Sequence, residues 1–176
     1  MSVHKLILER HSPYHFLDKP IRAETLHTLF EAARHAASGY NEQPWRFIYA
    51  TRETPQAYKR ILDCLVEGNR SWAEQAPLLI LTFARNVFAK NGKPNDHAWH
   101  DLGLAVGNLT VQASFLGLKL HNMGGIESDK IREVFEVPAT YDAVTAIAVG
   151  YSDEAHSRKP RKSVEEIAVI GRWNFS

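Results

Sequence analysis

The sequence predicts an α+β fold, and three observations carry that prediction. Apolar residues recur at helical spacing in some windows and form short continuous runs in others. These windows mix without a regular strand–helix–strand cadence, which argues against a doubly wound sheet. No repeat, linker or low-complexity stretch divides the 176 residues, so a single domain over residues 1–176 is expected. A chain of this length buries a sizeable core without staples.

The elements follow in order. Ser2 is an N-cap candidate for a short helix over residues 3–9, where Val3, Leu6 and Ile7 fall at helical spacing. Pro13 disfavours helical geometry at Ser12, so this helix is expected to stop near Arg10. Leu26, Leu29, Phe30 and Ala33 mark a second helix over 23–36. Residues 38–41 are loop chemistry, and 45–49 read as a strand. Thr54-Pro55 opens a helix expected to run to about Val66. Residues 78–81 form a continuous apolar strand, buried on both faces. Asn95 or Asp96 is expected to cap the longest helix, over 97–116, and Gly117 to close it. A short strand over 119–122, a helix over 128–135 and a buried strand over 143–149 complete the body. The tail from Arg158 is basic and extended, then weakly helical from Ser163.

Composition sets the broad class. Hydrophobic residues at 44% and charged residues at 23% are ordinary for a soluble globular protein. A net charge of +1 argues against a nucleic-acid surface built on bulk charge, so basic residues matter here by position. No apolar run is long enough to span a bilayer. Glu9 and Arg10 interrupt the first apolar residues before a signal-peptide core forms. The lone Cys64 has apolar flanks and reads as a buried, inert thiol. The expected location is the cytoplasm, with no membrane partner.

Two basic clusters carry the chemical argument. Arg10-His11-Ser12 follows the first helix, and Lys159-Pro160-Arg161 lies near the other end. Singly, the first is a polar helix end and the second a solvated tail. Brought to one site, they match a phosphate monoester, which carries about −1.5 to −2 charge and three strong acceptor oxygens. Gly124-Gly125 is either a plain turn or a place where a missing Cβ lets backbone approach a flat ring. Gly103 and Gly107 mark a close contact on the long helix, either internal or across a two-fold seam. His97, His100 and Asp101 read as a polar helix face ahead of a metal site. No Gly-x-Ser-x-Gly elbow or phosphate loop is present.

Taken in order, the motifs resemble the nitroreductase family of FMN-dependent oxidoreductases. They are Arg10-His11-Ser12 with Phe16, then Ser38-Gly39-Tyr40-Asn41-Glu42-Gln43-Pro44-Trp45, Asn69 with Trp72-Ala73, the Asp101–Ala105 run with Asn108-Leu109, Met123-Gly124-Gly125 and Lys159-Pro160-Arg161. The resemblance implies a mostly antiparallel sheet wrapped by helices, in a two-fold homodimer whose C-terminal tails are exchanged. It implies that Arg10, Ser12, Lys159 and Arg161, helped by His11, hold the FMN phosphate and ribityl chain. Asn69 would bond the flavin region, and Met123, Gly124 and Gly125 would lie against the isoalloxazine with a backbone N–H aimed at N5. Ala37, Ser38, Gly39 and Asn41 would reach the flavin from the other subunit. The implied reaction is ping-pong. NADH or NADPH delivers a hydride to the flavin, which then reduces a small oxidant such as a nitroaromatic or quinone, and no catalytic acid or base is required. A flavin-sequestering protein on the same scaffold is the alternative.

The chain departs from the family pattern in two respects. Tyr14 stands where many members carry a lysine or arginine, so a phenol replaces a fixed positive charge. The chain is also short for the family, and residues 88–96 leave little room for the helices that roof the pocket in longer members.

Overall fold

The computed structural model describes residues 2–155 and 159–173. Arg158, where the basic tail was expected to begin, lies outside them. Among the described residues four strands make one sheet, in the order β1-β2-β4-β3: β1 (Trp45–Thr51), β2 (Leu78–Arg85), β3 (Lys119–Met123) and β4 (Tyr141–Gly150). Every neighbouring pair is antiparallel. The α+β expectation therefore holds.

Alternation along β2 explains both cores. Leu78, Ile80 and Ala84 face one hydrophobic cluster, while Leu79, Leu81 and Phe83 face the other. Both faces of this central strand are covered, which is why it reads as an unbroken apolar run. The first cluster is closed by α2 (Ala23–Arg34) and α5 (Ala98–Phe115). The second is closed by α3 (Pro55–Leu62), α4 (Glu67–Ala73) and α6 (Ser128–Val134). A register shift between Thr82 and Phe83 puts a bulge in β4. The buried Thr82 hydroxyl staples it, donating to the Thr145 carbonyl at 3.1 Å and accepting from the Thr145 N–H.

Several boundaries differ from the sequence expectation. The first helix, α1, is a single turn (Lys5–Leu8) capped by the His4 ring and not by Ser2. The helix opened by Pro55 ends at Leu62, because Cys64 and Leu65 turn into the core and Leu65 pairs with Ile126. A separate helix, α4, then begins at Glu67. His97, and not Asn95 or Asp96, is the N-cap of α5, while Gly117 closes that helix at φ +75° as expected. Residues 88–96 hold no helix. They fold back through a Val87–Pro94 bridge, and the Ala89 N–H donates to Glu42 Oε2 at 2.8 Å. The tail from Ser163 makes one turn with reciprocal Ser163–Glu166 capping bonds and no helix among the described residues. An isolated turn with no packing partner does not propagate. No helix among the described residues is long and apolar enough to cross a membrane.

Candidate functional site

One cavity of about 370 Å³ is lined by both ends of the chain: Arg10, His11, Ser12 and Tyr14 from one, Glu154, Ala155, Lys159 and Arg161 from the other. The single-turn α1 contributes Ile7 and Leu8 and ends just before Arg10. Arg10 Nη1 donates to Ser12 Oγ at 3.2 Å, so guanidinium and hydroxyl are held as a unit. His11 Nδ1 lies 3.3 Å from the Glu9 carbonyl, within reach of donating to it. The two basic clusters read from the sequence therefore meet.

Beside this cavity stands a cluster of three rings. Tyr14 meets Trp72 edge-on at 5.0 Å and His121 at 4.8 Å, and His121 tilts over Trp72 at 4.5 Å. His121 Nδ1 donates to the Pro13 carbonyl at 2.8 Å and so pins the residue that follows Ser12 to strand β3. Burial pushes the His121 ring below its ordinary value of 6.5. The Pro13 carbonyl works against that shift, and the cations Lys159 and Arg10 add to it.

Past the rings lies a second group of expected residues. Asn69 on α4 donates Nδ2 to the Gly125 carbonyl at 3.0 Å. A Cβ on Gly125 would meet Asn69 Nδ2 and Val66 Cγ2 at 2.6 Å each, so this glycine is required by the seating of α4. A Cβ on Gly124 would meet nothing within 4 Å, so it is Gly124 that borders open space. Met123 is buried in the core, so its side chain is not open to a ligand. The cavity thus joins a cationic cradle to the edge of the ring cluster through Tyr14, while Asn69, Met123, Gly124 and Gly125 are not among the residues that line it.

Ala37, Ser38, Gly39 and Asn41 do not line this cavity within the chain. They form a loop between α2 and β1 in which Tyr40, Asn41 and Gln43 all take positive φ, at 52°, 56° and 47°. Such backbone costs about 1–3 kcal/mol per residue and persists only where its surroundings impose it. Here the buried Asp101 carboxylate accepts the Gly39 N–H at 2.9 Å, and Ser38 Oγ accepts the Gln43 N–H at 3.0 Å. Asp101 is therefore a loop anchor, with His100 Nδ1 at 3.0 Å from its other oxygen. Cys64 is fully buried, and burial raises its thiol pKa.

Sequence reasoning missed Glu154, His121 and the anchoring role of Asp101. All three act on backbone groups distant in the chain, and spacing carries no signal for such partners.

The model of the Nitroreductase family matches residues 7–151, and the chain belongs to this family. It is 27% identical over 175 residues to an NADH dehydrogenase/NAD(P)H nitroreductase of Ralstonia nicotianae, covering 88% of this chain and 89% of that one. It is 25% identical over 183 residues to an FMN reductase [NAD(P)H] of Bacillus subtilis, covering 94% and 72% of the two chains. A crystal structure of an oxidoreductase containing FMN superimposes with a TM-score of 0.92 at 31% identity, over 100% of this chain and 95% of that one. A nitroreductase family protein of Clostridium difficile 630, at 22% identity, shares the fold with a TM-score of 0.81, covering 98% and 100% of the two chains.

Proposed function

We propose that this protein is an FMN-dependent NAD(P)H oxidoreductase that works as a homodimer on a small oxidant such as a nitroaromatic or quinone. The observation that carries the proposal is the meeting of Arg10, His11 and Ser12 with Lys159 and Arg161 around one cavity. Cations from two distant segments of a chain with near-neutral charge converge here, and they match a phosphate monoester in charge and donor count. The names of the relatives, FMN reductase and NAD(P)H nitroreductase, support the same cofactor and electron donor.

In this reading Arg10, Ser12, Lys159 and Arg161 grip the phosphate and ribityl chain. Backbone at Met123, Gly124 and Gly125 borders the ring and offers an N–H toward its N5. Asn69, already tied to Gly125, keeps Oδ1 for the ring edge. When bound, FMN supplies a ring that accepts a hydride from NADH or NADPH and passes the electrons on. The protein binds, orients and shields, and no side chain need move a proton. Ala37, Ser38, Gly39 and Asn41 are not among the residues lining the Arg10 cavity, and in this reading they serve the partner's site in a dimer.

The absorbance spectrum of the purified protein tests this directly. Flavin bands that bleach on adding NADH or NADPH are expected, with steady-state donor oxidation once an oxidant is present. Bound flavin with negligible turnover would favour sequestration. Arg10→Ala and Arg161→Ala each remove charge-assisted hydrogen bonds of about 1.5–3 kcal/mol, so FMN should bind roughly ten- to hundredfold more weakly. Full flavin retention in both variants would overturn the phosphate assignment.

A further inference from the structure

We propose that Glu154 is a positioning residue of the anion cradle, whose carboxylate ties the segment that follows Arg10–Ser12 to residues 151–154, the stretch of chain ahead of Lys159 and Arg161. The inference rests on the reading that this cavity takes the FMN phosphate. A carboxylate in the wall of an anion site is unexpected, because its charge opposes the ligand. Its bonding explains its presence. Glu154 Oε2 accepts two backbone N–H groups, from Tyr14 at 2.8 Å and His15 at 3.0 Å. The Glu154 N–H in turn donates to Ser152 Oγ at 3.1 Å, which fixes the carboxylate's own segment.

These bonds complete a short zipper between the two chain ends. The Leu17 N–H donates to the Tyr151 carbonyl at 2.9 Å, and His15 Nδ1 lies 3.4 Å from Asp153 Oδ1. Glu154 is the rung nearest the cradle, two residues from Ser12 through the Tyr14 amide. On the far side His121 holds Pro13 against β3, so the Arg10–Ser12 segment is fixed from two directions. Preorganised cations lose less freedom when they close on a phosphate, and affinity rises accordingly. Removing Glu154 leaves the Leu17–Tyr151 rung and both hydrophobic clusters in place, so the fold should persist.

The role has a signature opposite to that of simple charge. A carboxylate acting by charge alone would weaken phosphate binding, and every neutral variant would bind FMN more tightly. A positioning carboxylate needs an acceptor oxygen at the right reach, whatever its charge. Glu154→Gln keeps that oxygen without the charge, Glu154→Asp keeps the charge but withdraws the oxygen by one methylene, and Glu154→Ala removes both. The experiment measures FMN and riboflavin dissociation constants by flavin fluorescence in wild type and the three variants. Glu154→Ala and Glu154→Asp should bind FMN roughly tenfold more weakly, the scale of one or two net hydrogen bonds. Glu154→Gln should match or exceed wild type, and riboflavin, which lacks the phosphate, should bind all four proteins alike. Tighter FMN binding by Glu154→Ala would overturn the proposal, as would Glu154→Gln as weak as Glu154→Ala, or an equal loss of riboflavin. If Glu154→Ala does not fold, the Asp–Gln pair alone decides. An Arg10→Ala variant in the same assay separates the two levels: unchanged FMN affinity there removes the phosphate reading itself.

Discussion

His121 sits half-buried among the rings of Tyr14 and Trp72, and this burial has a consequence for stability. Its pKa is depressed, chiefly by burial, with Lys159 and Arg10 adding to the effect and Glu154 and the Pro13 carbonyl opposing it. The folded protein therefore binds this proton less readily than the unfolded chain, where the value is 6.5. Unfolding takes up a proton below that pH, so the contribution is complete above 6.5 and is lost as pH falls toward the depressed value. His121→Gln should decline less steeply than wild type in a series of thermal melts from about pH 7 to pH 5. Parallel curves would assign the acid sensitivity to other groups. At this scale the sequence was partly legible. Arg10, Ser12, Lys159 and Arg161 carry their chemistry in their side chains, so residue type alone points to an anion. Glu154, Asp101 and His121 bond to backbone N–H or carbonyl groups far along the chain, and no motif marks that use.

Among the elements, the fit of α4 against the turn after β3 decides how the open glycine is presented. Val66 and Asn69 press on Gly125 so closely that no Cβ can enter without displacing them. The Val66 N–H also donates to the Gly125 carbonyl at 3.2 Å, and Leu65 pairs with Ile126. Gly125→Ala should therefore cost about 1–3 kcal/mol through overpacking, read as a lower midpoint in urea unfolding. Gly124→Ala, which meets open space, should leave that midpoint nearly unchanged. The same neighbourhood explains where element boundaries escaped sequence reasoning. Residues 55–66 carry an unbroken helical pattern, and long-range ties of Cys64, Leu65 and Val66 to residues 125–127 end the helix early. The strand cores at 78–81 and 143–149 were legible because burial on both faces leaves runs of Leu, Ile, Val and Ala, whereas the extensions to Arg85 and back to Tyr141 carry mixed residues and were not. The loop at 38–41 was legible as a loop, but its strain was not, since the left-handed residues are Tyr40, Asn41 and Gln43, imposed by tertiary bonds and not announced by glycine.

The whole molecule exposes apolar surface that a lone subunit would not favour. Helix α5 buries one stripe, Leu102, Ala105, Leu109 and Ala113, yet on its other side Leu104, Val111 and Phe115 stand in solvent, Phe115 by 70%. Gly103 and Gly107 lie exposed on this outer side, where an added Cβ would meet nothing within 4 Å, so internal packing does not require them. The tail is similar: Val164, Ile167 and Ile170 are exposed, Ile170 completely. An apolar helix face and an unpacked apolar tail on one chain are what a dimer with exchanged tails would cover. An obligate interface of this kind should bury about 2,000–5,000 Å² in total. Deleting residues 163–176 keeps Lys159 and Arg161 but removes these tail side chains. Light scattering after gel filtration at micromolar concentration should show a dimer for the full chain and a shift toward monomer for the shortened one. FMN should be lost in step, because the 37–41 loop would no longer be supplied by a partner. A shortened chain that remains dimeric with full flavin would mean that α5 alone holds the subunits together and that the tail serves only its own body.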